Sequence, residues 1–150
     1  MKSNWNSDKS LLLTRILTIA VLFLAGAALF CIPVITEWYD AVSEQKPIHT
    51  VLNIVLYASD LFGIFGALQL HRLLLHISKK KLFVQENVTC FRLISWCCFG
   101  VAALWAVLTF WRRLALFVAL IAAFAGLILR VLKNLLEQAV ELREENDYTI

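Results

Sequence analysis

Apolar residues fall into four long runs, and nearly all charges fall between them. From Ile16 to Ile35 there are 20 residues without a charge. At 1.5 Å per helical residue, about 20 residues cross a hydrocarbon core of about 30 Å. Val51 to Leu70 carries one full charge, Asp60, and its apolar pattern continues as a helix to about Ser78. Leu93 to Trp111 is charge-free, and after Arg112 and Arg113 a fourth run starts at Leu114. Residues 93–129 as one helix would be roughly twice too long for a bilayer, so the chain folds back at Trp111–Arg113. No Gly or Pro marks that turn. The pattern predicts an all-α integral membrane four-helix bundle, a single domain over 1–150, with spans at about 16–35, 51–70, 93–111 and 114–132.

The first run is too long for a signal-peptide core, and no small-x-small cleavage site follows it, so it reads as a retained helix. Pro33 sits near its outer end, where a helix breaks at low cost. Asn87 and Thr89 are the candidate N-caps of the third helix.

Composition agrees with the pattern. Of the residues, 61% are hydrophobic, against about 45–50% in a typical soluble domain. The net charge of +3 does not point to direct nucleic-acid binding, because the basic residues sit at the ends of apolar runs, where they orient helices. The most basic gap is the loop 72–92, with Arg72, Lys79, Lys80, Lys81 and Arg92 against Glu86 alone. Basic loops are retained in the cytoplasm. That puts both termini, this loop and the tail 133–150 in the cytoplasm. Eleven of the 14 Lys and Arg then lie inside, and only Lys46, Arg112 and Arg113 lie outside. The intervening segment 36–49 is acidic, and its Trp38 and Tyr39 suit an interfacial aromatic belt. Lys79, Lys80 and Lys81 are expected to meet anionic lipid headgroups. Asn87-Val88-Thr89 matches a glycosylation sequon but lies on the inner side, so it carries no meaning here.

Candidate chemistry is sparse. Cys31, Cys90, Cys97 and Cys98 form no CxxC pair, and His71 and His76 are neither at zinc-ligand spacing nor on one helix face. There is no nucleophile–base pair, phosphate loop or metal-ligand cluster, so no enzyme, cofactor or metal is expected. Asp60 lies near the bilayer midplane, where a charge costs at least ~2.5 kcal/mol. Asn53, Tyr57 and Asp60 share a helix face with Gly63, Ile64 and Ala67, and Gly63 and Ala67 would allow close approach of another helix. Two roles fit Asp60: a proton or ligand site, or a protonated or hydrogen-bonded acid that joins helices.

The fourth helix continues past the membrane. Ile128, Leu132, Leu135, Ala139 and Leu142 repeat at four and three, which is an apolar heptad stripe. Glu137, Glu141, Glu144, Glu145 and Asp147 surround it with negative charge. An apolar stripe in water needs a protein partner, either a second copy or another chain.

Leu82-Phe83-Val84-Gln85-Glu86-Asn87-Val88, running into Arg92, and the tail Glu145-Asn146-Asp147-Tyr148-Thr149-Ile150 resemble the signatures of the bacterial four-span membrane proteins catalogued as domain of unknown function 2975. Leu82 stands where a Pro often precedes the Phe, and Tyr148 where a Leu is usual. The resemblance implies a multi-pass protein of the bacterial inner membrane, with no catalytic activity. Members are often accompanied by a small helix-turn-helix regulator of the Cro type. On this basis Phe83, Glu86, Asn87, Leu135, Leu142, Glu144, Glu145, Asn146, Asp147 and Ile150 are the expected partner-binding residues. The expected function is a regulatory or scaffold protein that binds a cytoplasmic partner, with such a regulator as the candidate for sequestration. The alternative is a small transporter or channel subunit using Asp60.

Overall fold

The computed structural model describes residues 2–43 and 46–149, with side chains from residue 9 onward. Four helices account for almost all of them: α1 (Lys2–Val42), α2 (His49–Ser78), α3 (Gln85–Leu108) and α4 (Ala115–Tyr148). All four are long and apolar enough to cross a membrane. This is the architecture expected of a multi-pass membrane protein, and α2 ends at Ser78 as the apolar pattern indicates.

The first helix is longer than its pattern predicts. It passes through Pro33 and runs on to Val42. Proline removes one backbone hydrogen bond and crowds one preceding carbonyl, and contacts beyond it hold the helix together. Thr36 is fully buried. Its hydroxyl lies 2.9 Å from the Pro33 carbonyl oxygen and 2.7 Å from Oδ1 of Asn53 on α2. One turn later Asp40 accepts hydrogen bonds from the backbone N–H groups of Ile48 (3.0 Å) and His49 (2.7 Å). A carboxylate thus satisfies open donors at the start of α2 and favours its positive dipole end, but it comes from the preceding helix.

The turn between α3 and α4 contains the expected Trp111–Arg113 and extends a little to either side. It spans Thr109–Leu114 and is built from short-range backbone bonds: Trp111 and Arg112 N–H to the Leu108 carbonyl, then Ala115 N–H to Arg112 and Leu116 N–H to Arg113. Among the described residues only Lys80 has a positive φ, so this turn stays in right-handed space. Tightened turns of that kind place no demand for Gly or Pro, which is why neither marks it.

The helices pack in chain order. Among the described residues α1 packs on α2, α2 on α3 and α3 on α4, and no other pair of helices meets. The bundle is therefore an open row, with α1 and α4 at its two edges. In lipid, helix association rests on close packing of small residues and on interhelical hydrogen bonds. Both are present. The Phe62 ring covers Gly100 and the Phe99 ring covers Gly126, so that a Cβ at either glycine would come within 3.0 and 3.1 Å of a ring carbon. Ser95 is fully buried and donates to the Gly126 carbonyl at 3.0 Å. Trp105 Nε1 donates to Ser59 Oγ at 3.0 Å. Gly63, read in the sequence as a close-approach point, faces open space; the crowded glycines are on α3 and α4.

The α4 side of the last seam repeats at heptad spacing. Ala115, Ala119, Gly126 and Val140 are buried, and Ala122, Leu129, Lys133 and Leu136 between them are half-buried. The Ser95–Gly126 bond sets the antiparallel register, which brings Val140 level with the loop after α2.

Candidate functional site

The α2–α3 corner is held by hydrogen bonds on both sides of its loop. Helix α2 ends in a Schellman motif: Lys81 N–H bonds the His76 carbonyl at 3.0 Å, and Lys80 N–H bonds the Ile77 carbonyl at 2.9 Å. The motif needs a left-handed residue, usually glycine; here it is Lys80, with φ of 59°. Asn87, 1% exposed, holds the next residues. Its Nδ2 donates to the carbonyls of Lys81 and Leu82, both at 2.8 Å, and its Oδ1 lies 2.8 Å from Nδ1 of His76. Glu86 Oε2 lies 3.4 Å from the other ring nitrogen of His76. The N-cap of α3 is Val84, without a side-chain cap, so neither Asn87 nor Thr89 fills that role. Asn87 stands inside the first turn, where its amide reaches back across the loop. Phe83 and Glu86 are exposed, whereas Asn87 is consumed internally.

The face containing Asn53, Tyr57 and Asp60 divides. Asn53 joins α1 through Thr36, and Tyr57 is partly exposed. Asp60 is half-buried, and its Oδ2 is shut off from solvent with no hydrogen-bond partner among the described residues. Nδ1 of His71 is in the same condition. The Thr36–Asn53 bond fixes the register of the antiparallel pair, which brings Leu29 level with Asp60 and the buried Thr18 level with His71. Asn53, Asp60 and His71 therefore lie in one row along α2, because steps of seven and eleven residues return to nearly the same helix face. The His71 position is what the sequence reading missed. The signal was available in that spacing. A further polar pair, Gln69 and Cys90, links α2 to α3 at 3.8 Å.

On α4, Ile128, Leu132, Leu135 and Leu142 are exposed and Ala139 is half-buried. The stripe read from the sequence flanks the face that packs on α3 and is left open by the chain. Lys133 pairs with Glu137 one turn on, and Arg130 lies 5.5 Å above the Trp96 ring. Glu141, Glu144, Glu145, Asn146 and Asp147 are exposed on the helical end. Ile150 lies outside the described residues. By the register of α3 against α4, Leu135 is level with Glu86, so the open stripe and the exposed part of the loop sit at the same end of the molecule.

At the opposite end, Arg112 Nε donates to the Tyr39 hydroxyl (3.1 Å), and its Nη2 donates to the Lys46 carbonyl (3.0 Å) and Ser43 Oγ (3.4 Å). The guanidinium also lies 5.7 Å from the Tyr39 ring centre. One of the two arginines of the α3–α4 turn thereby fastens it to the end of α1. Lys79, Lys80 and Lys81 are exposed at the loop end.

Among the described residues no three His, Cys, Asp or Glu side chains come together in a way that could hold a metal ion. The family model described as "Protein of unknown function (DUF2975)" matches residues 18–150. No curated protein and no solved structure matches the chain.

Proposed function

Since the chain belongs to the DUF2975 family of proteins of unknown function, we propose a function from its geometry: a membrane-embedded regulatory or scaffold protein that binds a partner in the cytoplasm. The observation that carries this reading is the open stripe on α4. Leu135 and Leu142 are 57% and 66% exposed. They lie beyond the charge-free part of the helix, where lipid no longer covers apolar surface. The acids Glu141, Glu144, Glu145 and Asp147 surround them. An apolar strip with an acidic rim complements a basic protein, and its carboxylates compete with nucleic-acid phosphates for the same cations. A small helix-turn-helix regulator has that chemistry, and holding it at the membrane would keep it off DNA. Phe83 and Glu86, exposed at the same end, extend the surface. Asn87 supports it from below by fixing the loop.

The test is a pull-down from membranes in mild detergent, with full-length protein, with residues 144–150 deleted, and with Leu135→Ser and Leu142→Ser together. The altered proteins should insert normally and release a basic soluble partner, and the full-length complex should weaken as salt rises. Retention of the same partner by the truncated protein at unchanged salt dependence would exclude the tail as the docking element. Crosslinking of the chain to itself separates this from a stripe that only joins copies.

A second reading, a small transporter or channel subunit, draws on the unpartnered Oδ2 of Asp60 in the α1–α2 seam. It requires Asp60→Asn to abolish a membrane phenotype that the tail deletion leaves intact.

A further inference from the structure

We propose that the cleft between α1 and α2 at the loop end binds an anionic phospholipid of the surrounding bilayer, with Arg15 and Lys80 on its phosphate. The cleft encloses about 880 Å³. Its rim carries Arg15, Lys80, Ser10 and Ser78, and its wall includes Leu12 and Leu74; among the described residues no acid lines it. The two cations come from different elements and mark one edge of the apolar slab. Arg15 immediately precedes the charge-free run of α1, and Lys80 follows the last turn of α2. Among the described residues neither side chain forms a hydrogen bond or an ion pair within the chain. A guanidinium, an ammonium and two hydroxyls match a phosphodiester, and the leucine wall matches an acyl chain. Free phosphate would use the rim and leave the wall empty. A zwitterionic headgroup would bring its own cation against two others.

The backbone at Lys80 points the same way. Lys80 holds the left-handed position of the Schellman motif, where glycine relieves strain. Glycine would satisfy the turn, but only a side chain can reach the cleft. The structure therefore assigns lipid selectivity to Arg15 and Lys80, and not to the whole run Lys79–Lys81, since neither Lys79 nor Lys81 lines the cleft.

The experiment is native mass spectrometry of full-length protein released from equimolar phosphatidylcholine–phosphatidylglycerol vesicles. Retained phosphatidylglycerol should exceed phosphatidylcholine by about tenfold, and Arg15→Gln or Lys80→Gly should each remove about fivefold of that preference, the scale of one interfacial cation. Lys80→Gly should do so while keeping or raising thermal stability in zwitterionic detergent, an outcome that a merely structural role for Lys80 does not give. Lys79→Gln and Lys81→Gln should change the preference by less than about twofold, since the smooth surface potential is shared among many charges. Equal losses from all three lysines would replace the cleft with a diffuse basic patch and overturn the proposal. Displacement of the lipid by glycerol phosphate would overturn the assignment of the wall to an acyl chain.

Discussion

His76 Nδ1 stands 2.8 Å from Asn87 Oδ1, and this contact fixes both the orientation of the amide and the proton position on the ring. Both hydrogens of the Asn87 amide are directed at carbonyls, those of Lys81 and Leu82. Its oxygen must therefore accept, and the imidazole must donate from Nδ1. The end of α2, the loop and the first turn of α3 are joined through one buried side chain.

Asn87→Ala should cost about 1–3 kcal/mol, because two loop carbonyls and the His76 N–H lose their partner in a partly buried place. Asn87→Asp should be at least as damaging, since a carboxylate cannot donate to the carbonyls of Lys81 and Leu82. Thermal unfolding in detergent micelles measures both. An Asp variant as stable as the parent would show that the amide donors do not hold the loop.

The glycines should separate into two classes. Gly100→Ala and Gly126→Ala push a methyl group against the Phe62 and Phe99 rings, and overpacking of this kind costs about 1–3 kcal/mol. Gly63 has open space around its missing Cβ, so Gly63→Ala should be neutral or stabilising by up to about 1 kcal/mol through helix propensity. The same unfolding assay reads the difference, and a loss at Gly63 equal to that at Gly126 would contradict the observed packing.

The two arginines of the α3–α4 turn should not behave alike. Arg112 reaches Tyr39, Ser43 and the Lys46 carbonyl, whereas Arg113 is exposed. Arg112→Ala should lower stability by about 1–3 kcal/mol, in line with the loss of hydrogen bonds from a charged donor. Arg113→Ala should stay within about 0.5 kcal/mol, as surface changes usually do. Arg112→Lys should rescue little, because one ammonium cannot span three acceptors held by a planar fork. Thermal unfolding of the three variants in detergent ranks them.

The distribution of Lys and Arg predicts the orientation in the membrane. In a cysteine-free background, Lys46→Cys should react with an impermeant thiol reagent added to intact cells. Lys80→Cys and Glu145→Cys should react only after permeabilisation. Labelling of position 80 or 145 from outside would invert the topology and remove the cytoplasmic docking surface with it.

The helices were legible because each apolar run matches the thickness of a bilayer, and the α4 stripe was legible because its period is local. What the sequence concealed lies in side chains that act across helices. Asp40 is one acid among several until the end of α1 is seen beside the start of α2, and Asn87 sits where a local cap would be expected although its amide reaches backwards. Pro33 misled because a stop signal read along the chain ignores Thr36 and Asn53, which hold the next turn from the side. The α3–α4 turn carried no Gly or Pro because no residue in it leaves right-handed space. The row Asn53, Asp60 and His71 spans five turns, which is longer than the window in which a polar face is usually sought.

The chain-order packing has a mechanical consequence. With α1 packed on α2 and α4 packed on α3, the helices are coupled in series, like links, and Arg112 ties the α3–α4 turn to the end of α1 at the end away from Leu135. Along the row, a displacement that begins at Asp60 on α2 passes through α3 before it moves Leu135. Stiffness at the two intermediate seams, set by Trp105 on Ser59 and by Ser95 on Gly126, therefore governs how much of that motion arrives. Softening either seam should weaken the coupling between Asp60 and the projecting end of α4 while leaving each of them intact.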